Sequence, residues 1–254
     1  MFDTLQAHLQ LSASTLALAC TVAFVAGMVR GFSGFGLSAL IMAGLALVIA
    51  PLALIPVCFI LEAVSGAILF RGGLIDANRK LVAGLVAGSA VGMPIGLAAT
   101  HNLPAEISSL VALVLILILA LLQLSTASPA FLQTTWSLYL AGLLAGTVTG
   151  LASIGGMVVA LYVLSRQLSM REVRGSLVLY LFVSMAVSAF WLISTGTLDT
   201  LALKRGLLMA PAVVVGVLLG AWLFRPSLER FYKRFCLFLL MSLAGFGLIR
   251  LLIL

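Results

Sequence analysis

Long apolar stretches fill the chain, divided by short groups of charged and turn-forming residues. A helix needs about 20 apolar residues to cross a bilayer core about 30 Å thick. On that measure the pattern predicts ten segments, at 12–30, 36–50, 52–70, 81–100, 105–124, 136–153, 156–165, 174–194, 206–224 and 231–252. The second and seventh are short, and each reads as a half-helix or part of a re-entrant hairpin. A β-barrel would alternate apolar and polar residues over strands of about 10 residues. The runs here are continuous, which excludes it.

Composition agrees. Hydrophobic residues make up 63% of the 254 and charged residues 8%, against roughly 25% charged in soluble domains. So little charge cannot cover a soluble globule, and so much hydrophobicity excludes disorder. The net charge of +7 would suggest nucleic acid in a soluble protein. Here the basic residues sit singly or in small groups between apolar runs, which fits the excess of positive charge on cytoplasmic loops. With ten segments, Arg30, Arg71, Arg79, Lys80, Arg166, Arg171, Arg174, Arg225, Arg230, Lys233 and Arg234 fall on one side. Lys204, Arg205 and Arg250 fall on the other. The first side is expected to be cytoplasmic, with both termini external. The N-terminal stretch carries Asp3 and no basic n-region, so the first span reads as retained and not as a cleaved signal. Trp136, Tyr139, Trp191 and Trp222 stand near segment ends as interfacial anchors.

The chain also looks duplicated. Gly27, Gly31 and Gly36 match Gly146, Gly150 and Gly155 at one constant offset, and Gly92 and Gly96 match Gly216 and Gly220 at nearly the same one. Five segments per half place the halves in opposite orientations, which predicts inverted repeats. The expected fold is therefore all-α: a polytopic helical membrane protein of roughly 8–10 transmembrane segments. One integral membrane domain covers 1–254, with repeat one at about 12–124 and repeat two at about 136–252.

Glycine-interrupted segments at equivalent positions of two halves point to a transporter's binding site. Gly31, Gly34 and Gly36 permit a break in the first half, and Gly150, Gly155 and Gly156 in the second. A helix restarting after a break offers free N–H groups and a positive dipole end, which suits an anion. Ser33 and Ser38 could add hydroxyls in the first half, and Thr147, Thr149 and Ser153 in the second. Gly84, Gly88, Gly92 and Gly96, like Gly142, Gly146 and Gly150, recur every four residues and read instead as close-packing faces, within the protein or between two copies of it.

These motifs resemble the TauE/SafE family, the four-toluene-sulfonate uptake permeases, over nearly the whole chain. The landmarks are 26–36 (AGMVRGFSGFG), Gly73-Leu-Ile-Asp76, 146–156 (GTVTGLASIGG), 170–176 (MREVRGS), Gly196-Thr-Leu-Asp199 and the 211–220 span. Two departures stand out. The family often shows three adjacent glycines in each half, and it more often has small hydroxyl residues where this chain has Glu62. The resemblance implies transport of small organosulfur anions such as sulfite or sulfonates, with export favoured over uptake.

Glu62 lies near the middle of its segment, where a carboxylate is costly and by default functional. It reads either as the carrier of a proton or other coupling ion, or as a structural partner of an arginine or of the broken backbone. Arg30 precedes the first glycine cluster. It reads either as a bidentate contact to the anion or as an interfacial anchor. The expected substrate-binding set is Arg30, Gly31, Ser33, Gly34, Gly36, Thr149, Gly150, Ser153, Gly155 and Gly156.

No enzyme motif is present. The histidines, His8 and His101, lie outside the segments, and no Gly-x-Ser-x-Gly elbow or zinc-protease pattern occurs. Cys20, Cys58 and Cys236 lie in apolar runs and read as packing residues, and no cofactor or metal is expected. Asp76 and Asp199 read as turn or cap residues. The expectation is a secondary transporter of a small anion in the cell's inner (plasma) membrane, working by alternating access at the paired breaks. The alternatives are a passive anion channel or an uptake permease for a related anion. The expected partners are the anion, the lipid bilayer, a proton or other coupling ion and a second copy of the chain, with no nucleic acid.

Overall fold

The structure is a computed structural model, and it describes residues 12–124, 134–166, 168–223 and 229–253. His8 and Arg225 lie outside the described residues, as do the side chains of Arg71, Arg230, Lys233, Arg234 and Cys236.

The described residues form ten helices: α1 (Ala13–Ser33), α2 (Leu37–Leu45), α3 (Pro51–Asp76), α4 (Arg79–Asn102), α5 (Ala105–Leu124), α6 (Thr135–Ala152), α7 (Gly155–Leu164), α8 (Met170–Ser194), α9 (Thr200–Leu223) and α10 (Glu229–Ile253). Six of them are long and apolar enough to cross a membrane: α1, α3, α4, α5, α8 and α9. α2 and α7 are short, as their apolar runs predict.

Local chemistry sets the boundaries. The Ser12 side chain accepts from the Thr15 N–H at the start of α1, and Pro51 opens α3. α8 begins with a capping box, in which Ser169 and Glu172 satisfy each other's backbone N–H groups. Two loop expectations change. α9 begins at Thr200 because the Asp199 carboxylate accepts from the Ala202 N–H at 2.7 Å, so Lys204 and Arg205 lie in its first turns. Asp76 closes α3, and Asn78 provides the cap for α4. His101 lies in the last turn of α4 and faces Thr197 Oγ1 at 3.0 Å.

The glycine runs bring helix backbones together. α4 packs on α6, where a Cβ on Gly96 would fall 1.9 Å from the Thr147 carbonyl oxygen. α1 packs on α9, where a Cβ on Gly220 would fall 2.0 Å from the Met28 carbonyl oxygen. α3 packs on α8, and α5 packs on α10. Trp136 and Trp222 are exposed near helix ends, as interfacial anchors should be. Trp191 instead turns inward and donates to the Ala90 carbonyl at 3.3 Å.

Candidate functional site

Both predicted helix breaks are present, but they are made differently: left-handed glycines turn the first, and a left-handed serine turns the second, where Gly150, Gly155 and Gly156 stay helical. α1 stops at Ser33, and Gly34 (φ +81°) and Gly36 (φ +93°) turn the chain into α2 through left-handed conformations. α6 stops at Ala152, and Ser153 turns it into α7 with φ +57°. Gly34 and Ser153 stand at the repeat offset from each other. A serine held in the left-handed region is strained, and such strain gathers at ligand sites.

A break in an apolar span releases carbonyls that must find donors. Arg174 of α8 donates to the Gly31 carbonyl at 2.8 Å, and Arg30 donates to the Gly34 carbonyl. At the second break, Thr100 Oγ1 of α4 lies 3.0 Å from the Gly150 carbonyl oxygen and 3.2 Å from that of Leu151. The half-helices are pinned from α5. Ser109 donates to the Ala46 carbonyl at the end of α2, and Gln123 donates to the Met157 carbonyl in the first turn of α7, both at 2.9 Å.

The N-termini of α2 and α7 have no side-chain cap, and both open on one cavity. Gly36 and Ser38 line it from the first break, and Thr149, Ser153 and Gly156 from the second. Its enclosed volume is about 50 Å³, room for a few waters or one small ion. Glu62 of α3 closes one side. Ser38 Oγ donates to Glu62 Oε1 at 2.9 Å, and Arg30 Nη2 lies 3.2 Å from Glu62 Oε2. Arg30 is 0% exposed and Glu62 12%.

Six of the sequence-predicted residues therefore meet in the cavity wall: Gly36, Ser38, Glu62, Thr149, Ser153 and Gly156. The others stand behind it. Gly31 packs on the Val217 backbone, Gly150 on that of Met93, and Gly155 on the Ala145 carbonyl. Gly34 forms the turn, and Ser33 Oγ lies 2.8 Å from both the Val29 and Phe35 carbonyls. Arg30 is enclosed by protein, which excludes the reading of an interfacial anchor. Sequence reasoning missed the contribution of α8, whose Tyr180, Ser184 and Ser188 line the wall at four-residue spacing. That spacing was the available signal. A smaller adjoining cavity shares these three residues and adds Ser89. Among the described residues, no three His, Cys, Asp or Glu side chains come together as metal ligands would.

Long apolar helices packed around an interior cavity define a polytopic helical membrane protein. The family model for sulfite exporter TauE/SafE matches residues 19–247, and the chain belongs to that family. It is thus a multi-pass membrane transporter of the sulfite exporter type. Comparisons with curated proteins and with solved structures returned no match.

Proposed function

We propose that the protein is a secondary carrier that exports a small anion, sulfite or a small organosulfonate, across the cell's inner membrane. The anion binds between the N-termini of α2 and α7. The observation that carries this reading is that two uncapped helix N-termini and several hydroxyls open on one cavity. Free N–H groups and helix dipoles favour negative charge there. Glu62, at the cavity wall, carries the coupling ion.

Alternating access follows from an inverted repeat of α1–α5 and α6–α10. The packing supports that repeat: exchanging the two halves turns the contact of α1 with α9 into that of α6 with α4, and both are glycine-mediated. The α3–α8 and α5–α10 contacts map onto themselves. One half rocks against the other around the paired breaks. Radiotracer flux in proteoliposomes tests the function, using sulfite, sulfate, taurine, sulfoacetate and a carboxylate control. Saturable flux of a sulfur oxyanion or sulfonate, lost in Gly156→Leu, is the expected result. Flux of none of them overturns the reading.

A further inference from the structure

The anion cavity holds a negative charge of its own. Among the described residues its wall includes one acidic side chain, Glu62, and no Lys, Arg or His. The cation beside it, Arg30, is fully buried and already faces Glu62 Oε2 at 3.2 Å. That contact is an ion pair without hydrogen-bond alignment, and Arg30 Nε has no hydrogen-bond partner among the described residues. Glu62 Oε1 accepts from Ser38, which sits in the first turn of α2. The carboxylate therefore sits beside the helix N-terminus that a bound anion would use, holding the first-turn hydroxyl of Ser38, and it cancels the cation that would attract one.

A second anion placed a few ångströms from an ionised Glu62, at low dielectric, is strongly repelled. A proton on Glu62 removes that repulsion and leaves the Arg30 charge uncompensated. We propose that Glu62 is a built-in occupant of the anion site, and that a substrate anion binds together with one proton taken up by Glu62. The charges balance: the carboxylate takes a proton from water, and the incoming anion replaces it as the counter-charge of Arg30. This rests on the anion-carrier reading and specifies its coupling ion and stoichiometry.

The elements packed around Glu62 present the following groups to it. α1 presents Arg30, and α2 presents the hydroxyl of Ser38. α3 itself places Cys58 one turn earlier, and α8 places Tyr180 in the same wall. Met93 of α4, together with Thr149 and Ser153 of the second break, adds no charge. α9 meets α3 where Gly206 packs on Ile60, beside Arg205. With a monovalent anion the loaded carrier moves no net charge. Export then runs when the inside-to-outside anion ratio exceeds the outside-to-inside proton ratio.

The test is anion binding to the purified protein in weakly buffered detergent solution, read as affinity and proton uptake between about pH 5 and 8. The probes are methanesulfonate, which stays monovalent over this range, with sulfate and sulfite beside it. The proposal expects one proton taken up per methanesulfonate bound. It also expects affinity to fall, by up to tenfold per pH unit, as the carboxyl loses its proton. Glu62→Gln binds with an affinity independent of pH and takes up no proton. Methanesulfonate binding to the wild type without proton uptake, at constant affinity, overturns the proposal and leaves the carrier reading standing. Binding of none of the three anions at any pH overturns both. Should Glu62→Gln fail to fold, the wild-type proton count decides alone.

Discussion

Adding one methyl group at Gly96 should damage this protein more than most larger changes at its surface. The Cβ of Gly96→Ala would lie 1.9 Å from the Thr147 carbonyl oxygen, a backbone atom that no rotamer change can move. Ordinary carbon–oxygen contacts begin at about 3.3 Å, so α4 and α6 must separate by about 1.4 Å at this point. A gap of even 0.5–1 Å forfeits about a quarter to a half of the dispersion attraction across an interface. The neighbouring contacts of Gly92 and Gly150 share the loss, since both meet backbone of the facing helix. The cost should sit at the upper end of overpacking, about 3 kcal/mol. That corresponds to a fall in Tm of roughly 6–12 °C by the scaling for chains of this size. The control is Gly245→Ala in α10, where an added Cβ meets nothing within 4 Å. There the better helix propensity of alanine should stabilise by up to about 1 kcal/mol. Fluorescence-detected thermal melting in detergent measures both. Equal Tm values for Gly96→Ala and the wild type would refute the packing argument.

Three further outcomes follow from named contacts. Arg30→Leu alone should destabilise by about 3–5 kcal/mol, because it strands the largely buried Glu62 carboxylate and the Gly34 carbonyl. The Arg30→Leu/Glu62→Leu pair should recover most of that in the same melting assay. Ser153→Gly should raise Tm, because relieving one left-handed non-glycine residue is worth about 1–2 kcal/mol. Ser169→Ala should cost about 1 kcal/mol by removing the α8 capping box, measured as a lower Tm.

Much of the fold is legible in the sequence because membrane helices are local objects. An apolar run of the right length is a helix wherever it packs, which is why α5 falls on 105–124 as read from the pattern. The breaks are legible for a related reason. Glycines cluster at Gly34 and Gly36 and again at Gly155 and Gly156, although the second turn itself falls on Ser153. The glycine stripe at Gly88, Gly92 and Gly96 announces close packing, although only the structure shows that α6 is its partner.

The site is less legible because its pairings are long-range. A mid-span Glu62 calls for a partner such as an arginine, but Arg30 lies on a different helix and no spacing rule picks it out. Arg30 looked like a ligand contact because it adjoins the glycine cluster. The same position lets it close the Gly34 carbonyl and face Glu62 from behind the wall. Tyr180, Ser184 and Ser188 are spaced one helical turn apart, but a polar stripe does not say which cavity it faces.

The central claim is an anion carrier whose site lies between the paired half-helices. Counterflow tests it most directly. Proteoliposomes are loaded with unlabelled sulfite, and the uptake of trace labelled sulfite is followed at matched pH. A carrier predicts transient accumulation of label above equilibrium when internal sulfite is present, and none in Gly156→Leu. Label that equilibrates at the same rate with or without internal sulfite would contradict the account and indicate a passive pore.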